Sequence, residues 1–195
     1  MTPDSARAAA NAGADAIGLV FAPDSPRCID AGTAIEITDM LPPFITPIGL
    51  FQNANAQEIN DTWPWPWVQL HGGETPSMIS ELPERRIIRG FPFSQRDALA
   101  WNDCDMVDAL LVDGSTGGTG TMFDHGELAE VRGQLTKTLI LAGGLTPDNV
   151  KRAIENVRPD AVDVSSGVES SRGVKDPDLI EAFCLAVRDA DAQLA

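Results

Sequence analysis

Short apolar runs alternate strictly with amphipathic stretches along almost the whole chain, and this alternation limits the fold more than any other feature. The stretch Leu139–Asp176 shows the unit twice. Leu139–Leu141 is an apolar run ended by Gly143-Gly144, and Thr146-Pro147-Asp148 reads as a helix start with Pro in the first turn. Ala161–Val164 is a second run, closed by Ser165-Ser166-Gly167. Residues without bulky side chains at the carboxyl end of a strand let backbone N–H groups approach an anion, helped by a helix N-terminus. A lone Gly-Gly is as well explained by a tight turn; two such loops joined by one helix favour a phosphate cradle.

The same unit recurs upstream. Thr2–Gly13 reads as a capped helix, Asp15–Phe21 as a strand, Ala31–Leu41 as a helix stopped by Pro42-Pro43, and Thr46–Phe51 as a strand. Asn55–Asp61 is a short helix. Trp63-Pro64-Trp65-Pro66 is an extended, aromatic-covered entry into strand Trp67–Leu70, since Pro is excluded from helix interiors. Thr75–Leu82 is helical, Arg86–Gly90 a strand, Gln95–Trp101 a helix, Ala109–Asp113 a strand and Phe123–Gly133 a helix. Pro177–Gln193 closes the chain as an amphipathic helix with Ile180, Phe183, Cys184 and Val187 on one face, which makes Cys184 a core residue. Seven strands alternating with eight helices imply a parallel sheet wrapped by helices, in one domain spanning 1–195. No early GxGxxG followed by a distant acidic residue is present, so an open dinucleotide-binding sheet is the weaker choice. A (β/α)₈ barrel is the better one, and in such barrels the loops after strands seven and eight commonly bind phosphate. A barrel needs eight strands and this sequence opens on a helix, so the expectation is an incomplete barrel lacking its first strand.

Composition excludes several classes. At 195 residues with 43% apolar content, the chain buries a real core, roughly 70% of its unfolded surface for a domain of this size. A net charge of −15 repels nucleic-acid backbones and anionic membranes, which removes both as expected partners. Cys28, Cys104 and Cys184 are odd in number and lack CxxC spacing, pointing to reduced thiols and a cytoplasmic setting. His71 and His125 are too isolated for a metal site, and Glu74 beside His71 adds little. No G-x-S-x-G elbow supports a serine hydrolase.

Functional groups of such barrels gather at the carboxyl ends of the strands. Those ends carry Arg27 in the loop after Asp15–Phe21, His71 after Trp67–Leu70, and Asp113 closing Ala109–Asp113. Each has a plainer reading: Arg27 as a loop charge, His71 as a hydrogen-bonded cap, Asp113 as the cap of its own Gly-rich loop. A cation, an imidazole and a carboxyl on one rim beside a phosphate cradle suggest acid–base work on a phosphorylated, acidic small molecule. Arg27, Arg172 and Lys175 are the loop cations that offset the acidic field for such an anion.

DAIGLVFAPDSPRCI, VQLHGGE, LLVDGSTGGTGTMFDH, LILAGGLTPDNV and AVDVSSGVESSRGVKD, in that order, resemble the phosphoribosylanthranilate isomerase family of tryptophan biosynthesis. The resemblance runs from Asp4 to the C-terminus. It implies a barrel of the ribulose-phosphate-binding type, no cofactor, a monomer or homodimer, and an Amadori rearrangement of phosphoribosylanthranilate. It makes Asp113 the general acid, with a carboxyl expected to be held protonated by burial or nearby negative charge. It turns Arg27 toward the anthranilate carboxylate, makes Gly143, Gly144, Ser165, Ser166 and Gly167 the phosphate loops, and gives His71 a supporting role. Family members open with a strand reading roughly K-I-C-G whose cysteine is the general base, and this sequence contains no counterpart. Cys28 alternates away from Arg27, and Cys104 precedes its strand and belongs to the opposite rim. His125 stands where the family commonly has tryptophan, and is expected to be a tolerated surface change. A non-catalytic phosphosugar-binding protein is the alternative. The related histidine-pathway isomerase and thiamin-phosphate synthase rank lower.

Overall fold

The computed structural model describes residues 1–114 and 125–194. In chain order its elements are α1 (Pro3–Ala12), β1 (Ala16–Val20), α2 (Ala31–Met40), β2 (Thr46–Phe51), α3 (Ala56–Thr62), β3 (Trp67–Leu70), α4 (Pro76–Ile79), β4 (Arg86–Pro92) and α5 (Gln95–Asn102). There follow β5 (Ala109–Asp113), α6 (His125–Arg132), β6 (Thr138–Ala142), α7 (Val150–Val157), β7 (Ala161–Val162), a 3₁₀ turn Ser166–Val168, a hairpin of β8 (Glu169–Ser171) and β9 (Val174–Lys175), and α8 (Pro177–Leu194). None of the described helices is long and apolar enough to cross a membrane.

The seven strands β1–β7 pair in parallel and in sequential order. A doubly wound sheet reverses its strand order at a switch point, so an unreversed order is that of a barrel wall. Among the described residues no strand pairs the outer edges of β1 and β7. The faces of these two strands that carry Ala16, Gly18, Ala161 and Asp163 are exposed, while Ile17 and Leu19 on the opposite face of β1 are buried.

Side chains alternate between two layers. One face of the sheet packs under the helices in a large cluster that includes Leu19, Ile37, Phe51, Trp63, Leu110, Leu139 and Phe183. The other face forms a smaller cluster of Ile88, Ala109, Leu111 and Ala142, with Ile48, Trp67 and Ile140 packed against it. Trp63 is fully buried where α3 ends, with its Nε1 donating to the Trp67 carbonyl at 2.8 Å. A Cβ on Gly49 would come within 2.7 Å of its ring, so the small residue in β2 makes the space that the indole fills. Trp63 is extended at the end of α3, as expected of this entry, and its indole is a buried plug that the sequence did not show.

Several boundaries differ from the sequence expectation. The segment after β3 is helical only over Pro76–Ile79, because Glu81 and Leu82 donate to carbonyls three residues back and tighten the last turn. Thr146-Pro147-Asp148 is a turn and α7 begins at Val150. Asn149 causes this: its Oδ1 accepts from the Thr146 amide at 2.8 Å and its Nδ2 donates to the Gly144 carbonyl at 2.9 Å. β7 is cut to Ala161–Val162, as befits an edge strand with one partner. The hairpin β8–β9 was not legible as strand. Cys184 packs partly buried against the large cluster from α8, and desolvation pushes its thiol up. His125 is a correction: it opens α6 at 8% exposure and is buried, not a surface residue. Phe123 and the GGTG-x-x-FD motif lie outside the described residues.

Candidate active site on the carboxyl rim

The alternation of β3, β4 and β5 decides where the rim side chains go. Trp67, Gln69 and His71 share a parity, as do Ile88 and Gly90, and Ala109, Leu111 and Asp113. Trp67, Ile88, Ala109 and Leu111 belong to the smaller inner cluster, so His71 and Asp113 stand one step above it on the same face. Between them runs β4, which offers only Gly90. A Cβ at Gly90 would lie 2.4 Å from His71 Nδ1, so the absent side chain is the seat of the imidazole. His71 Nε2 lies 3.5 Å from Asp113 Oδ2, longer than an ordinary hydrogen bond. Gln69 Nε2 lies 3.0 Å from Nδ1, so the other ring nitrogen, Nε2, is the one that faces Asp113.

The loop holding His71 is tied from outside the inner face. Glu74 accepts from the Asn53 amide at 2.6 Å and the Gly72 amide at 2.7 Å, and sits 3.2 Å from Arg89 Nη1. Arg89 also donates to the carbonyls of Leu70, Gly90 and Gly72 at 2.7, 2.8 and 2.6 Å, and its guanidinium lies 4.9 Å from the Trp101 ring centre. Both side chains are buried. One ion pair therefore fixes the loops after β2 and β3 to β4.

The phosphate-loop residues converge from the next two strands. Gly143 and Gly144 have φ of 87° and 67°, which glycine adopts without strain. A Cβ on Gly143 would meet the Gly114 amide at 2.2 Å and Asp113 Oδ1 at 2.5 Å, so this turn presses against the end of β5. Gly167 approaches the Leu145 carbonyl so closely that a Cβ would lie 1.8 Å from it. The two loops thereby form one surface. Ser165 is held by Lys175 Nζ, which donates to its carbonyl at 2.7 Å.

Arg27 lies at the end of this surface, bound side-on by Glu169, with Nε to Oε1 at 2.6 Å and Nη2 to Oε2 at 2.9 Å. Lys175 Nζ is 3.1 Å from Glu169 Oε1, and the Gly173 amide donates to Oε2 at 2.9 Å. Desolvation pushes the Glu169 carboxyl up, but hydrogen bonds from Arg27, Gly173 and Lys175 outweigh it and hold it at about 2. Of the loop cations, Arg27 and Lys175 are committed to this network, while Arg172 is exposed in the hairpin turn. Cys28 is exposed, with its Sγ 3.8 Å from the Ile29 carbonyl.

Asp163, directly after β7, lies within electrostatic reach of His71, Lys175 and Asp113. It is exposed along the open edge, yet the surrounding protein desolvates its carboxyl and pushes it up. His71 and Lys175 oppose that shift and Asp113 adds to it. Asp163, Glu169, Gln69 and Gly90 were missed in the sequence. Asp163 carried a usable signal, since AVD ends its strand as LLVD ends β5. Among the described residues no group of three His, Cys, Asp or Glu side chains is placed to hold a metal ion.

A sequentially ordered parallel β/α sheet with charged and small residues assembled on its carboxyl rim defines a barrel-class protein with a rim site. Residues 1–186 match the family model for N-(5'-phosphoribosyl)anthranilate isomerase, and the chain belongs to that family. It is 45% identical over 188 residues to the N-(5'-phosphoribosyl)anthranilate isomerase of Stutzerimonas stutzeri, covering 92% of this chain and 89% of that one. It superposes on phosphoribosyl anthranilate isomerase from Thermotoga maritima with a TM-score of 0.88 at 35% identity, covering 98% and 95% of the two chains. A third relative is a phosphoribosyl anthranilate isomerase solved in complex with reduced 1-(o-carboxyphenylamino)-1-deoxyribulose 5-phosphate. It matches with a TM-score of 0.86 at 34% identity, over 96% of this chain and 94% of that one.

Proposed function

We propose that this chain isomerises N-(5′-phosphoribosyl)anthranilate to 1-(2-carboxyphenylamino)-1-deoxyribulose 5-phosphate, in the cytoplasm, as a single barrel domain acting as a monomer or homodimer. The observation that carries the reading is the meeting of Asp113 and His71 beside the Gly143 turn, on the rim where the two glycine-containing loops close on each other. In this reading Gly143, Gly144, Ser165, Ser166 and Gly167 receive the phosphate, and Arg27 faces the anthranilate carboxylate. Asp113 gives a proton to the furanose ring oxygen as the C1′–O bond breaks, leaving a Schiff base. Loss of the C2′ proton to a base then gives an enolamine, which tautomerises to the ketone. Substrate and product are isomers and every hydrogen moves as a proton, the one given by Asp113 being balanced by the one taken from C2′, so no external oxidant or reductant is consumed. His71, whose Nε2 lies 3.5 Å from Asp113 Oδ2, supports the acid as its neighbour on the rim.

The test is turnover of the 195-residue chain, with substrate generated in place from anthranilate and phosphoribosyl pyrophosphate and followed by anthranilate fluorescence. Asp113→Asn should lower kcat by about 10²–10⁴-fold, the usual contribution of a general acid, while product still binds. Turnover that survives in this variant would remove Asp113 from the role. Product binding without turnover in the unmodified chain would favour a phosphosugar-binding protein.

A further inference from the structure

Glu169 is a rim carboxylate bound by groups from three residues, and the proposed reaction gives it no task. Its side chain is 4% exposed and accepts from four donors: Arg27 Nε and Lys175 Nζ at Oε1, Arg27 Nη2 and the Gly173 amide at Oε2. Each of its two oxygens thus faces two N–H-bearing groups. An amide in its place would turn an NH₂ group toward two donors, so only a carboxylate satisfies this setting. Its carboxyl is correspondingly held at about 2 and is charged at any working pH.

The geometry of the pair matters for Arg27. A guanidinium presents two forks, one along Nε and Nη2 and one along the Nη1–Nη2 end. Glu169 takes the first at 2.6 and 2.9 Å, and Nη1 donates to no described residue. The Arg27 side chain remains 23% exposed, so the second fork stays within reach of a ligand. A lysine has no second fork to offer while paired with a buried carboxylate. We propose that Glu169 is the positioning residue for substrate carboxylate: it grips Arg27 side-on and presents the end fork of the guanidinium to an aromatic carboxylate. The inference rests on the assignment of Arg27 to that carboxylate in the proposed function. The grip freezes the long side chain before the ligand arrives, so its ordering entropy is not lost on binding. Gly173, with φ of 86°, makes the hairpin turn that sends its amide to Glu169; a Cβ there would also meet the Pro26 carbonyl at 3.0 Å. The β8–β9 hairpin is thus the clamp that holds the Arg27 loop.

The experiment compares two ligands on the full chain: the product, and its analogue with phenyl in place of carboxyphenyl. Glu169→Gln should weaken product binding by about tenfold, the effect of losing one charge-assisted hydrogen-bond pair, and change the analogue by less than about twofold. The analogue is spared because Lys175 keeps its own bond to the Ser165 carbonyl in the phosphate loop. Glu169→Asp should recover part of the product affinity. Equal losses on both ligands would show a merely structural role and overturn the proposal, as would no loss on either. If the unmodified chain fails to discriminate product from analogue, the assignment of Arg27 itself fails, which is a separate result. Should the Gln variant not fold, nitrogen-detected NMR of arginine Nε–H in the unmodified chain serves instead. The Arg27 Nε–H signal should stay protected and unshifted when product binds; its loss on binding would mean that the ligand displaces Glu169 and would overturn the side-on grip.

Discussion

At the scale of single residues, Asp163 shows how a rim carboxyl acts on stability. Its folded-state value is raised above the ordinary 3.8, by desolvation first and by Asp113 as well. A carboxyl raised in this way binds its proton more tightly in the folded chain than in the unfolded one. Folding therefore loses stability as the pH rises through the folded value, and keeps it below the unfolded value. Asp163→Asn copies the protonated form. The variant should be more stable than the parent at pH near 7 and converge with it near pH 3, read from urea midpoints at the two pH values. A parent that is more stable at neutral pH would contradict this. The exposed edge moderates the size of the effect and leaves its sign unchanged.

At the scale of elements, the Glu74–Arg89 pair does for β2, β3 and β4 what backbone ladders cannot, because it binds the loops above the strand ends. Replacing Arg89 with Met leaves a buried carboxylate without its counter-charge and frees the carbonyls of Leu70, Gly72 and Gly90. Breaking a buried pair from one side costs about 3–5 kcal/mol. The double change Glu74→Gln with Arg89→Met should recover part of that loss, since no lone charge is then buried, and chemical denaturation of the variants would measure both. His71 follows Leu70 directly, so kcat should fall in the single variant by more than stability alone explains. An unchanged kcat in the folded fraction would separate the staple from the site.

At the scale of the whole molecule, a net charge of −15 over 195 residues makes the compact state repel itself. Exposed charges are screened beyond about 10 Å at 0.1 M salt and beyond about 3 Å at 1 M. Raising potassium chloride from about 0.1 M to about 1 M should raise the melting temperature, and a salt-independent or falling value would refute the self-repulsion argument.

What the sequence determined by itself are the properties set by local period and local stereochemistry. Alternation at period two placed Asp113 and His71 at strand ends, and Gly143-Gly144 marked a turn with positive φ, because both depend on residues close in the chain. The seven parallel strands, the eight helices and the extended entry at Trp63–Pro66 were legible for the same reason. Tertiary structure decided the rest. Arg27 and Glu169 are 142 positions apart, so no spacing rule joins them, and only the packing of the β8–β9 hairpin against the β1 loop makes Arg27 a paired cation. Gly90 looked like an ordinary strand glycine until the neighbouring strand placed an imidazole over it. His125 was expected to be a tolerated surface change because it stands where the family commonly has tryptophan, and the packing of α6 buries it. The period of a strand says which way a side chain points, and only the folded chain says what it meets there.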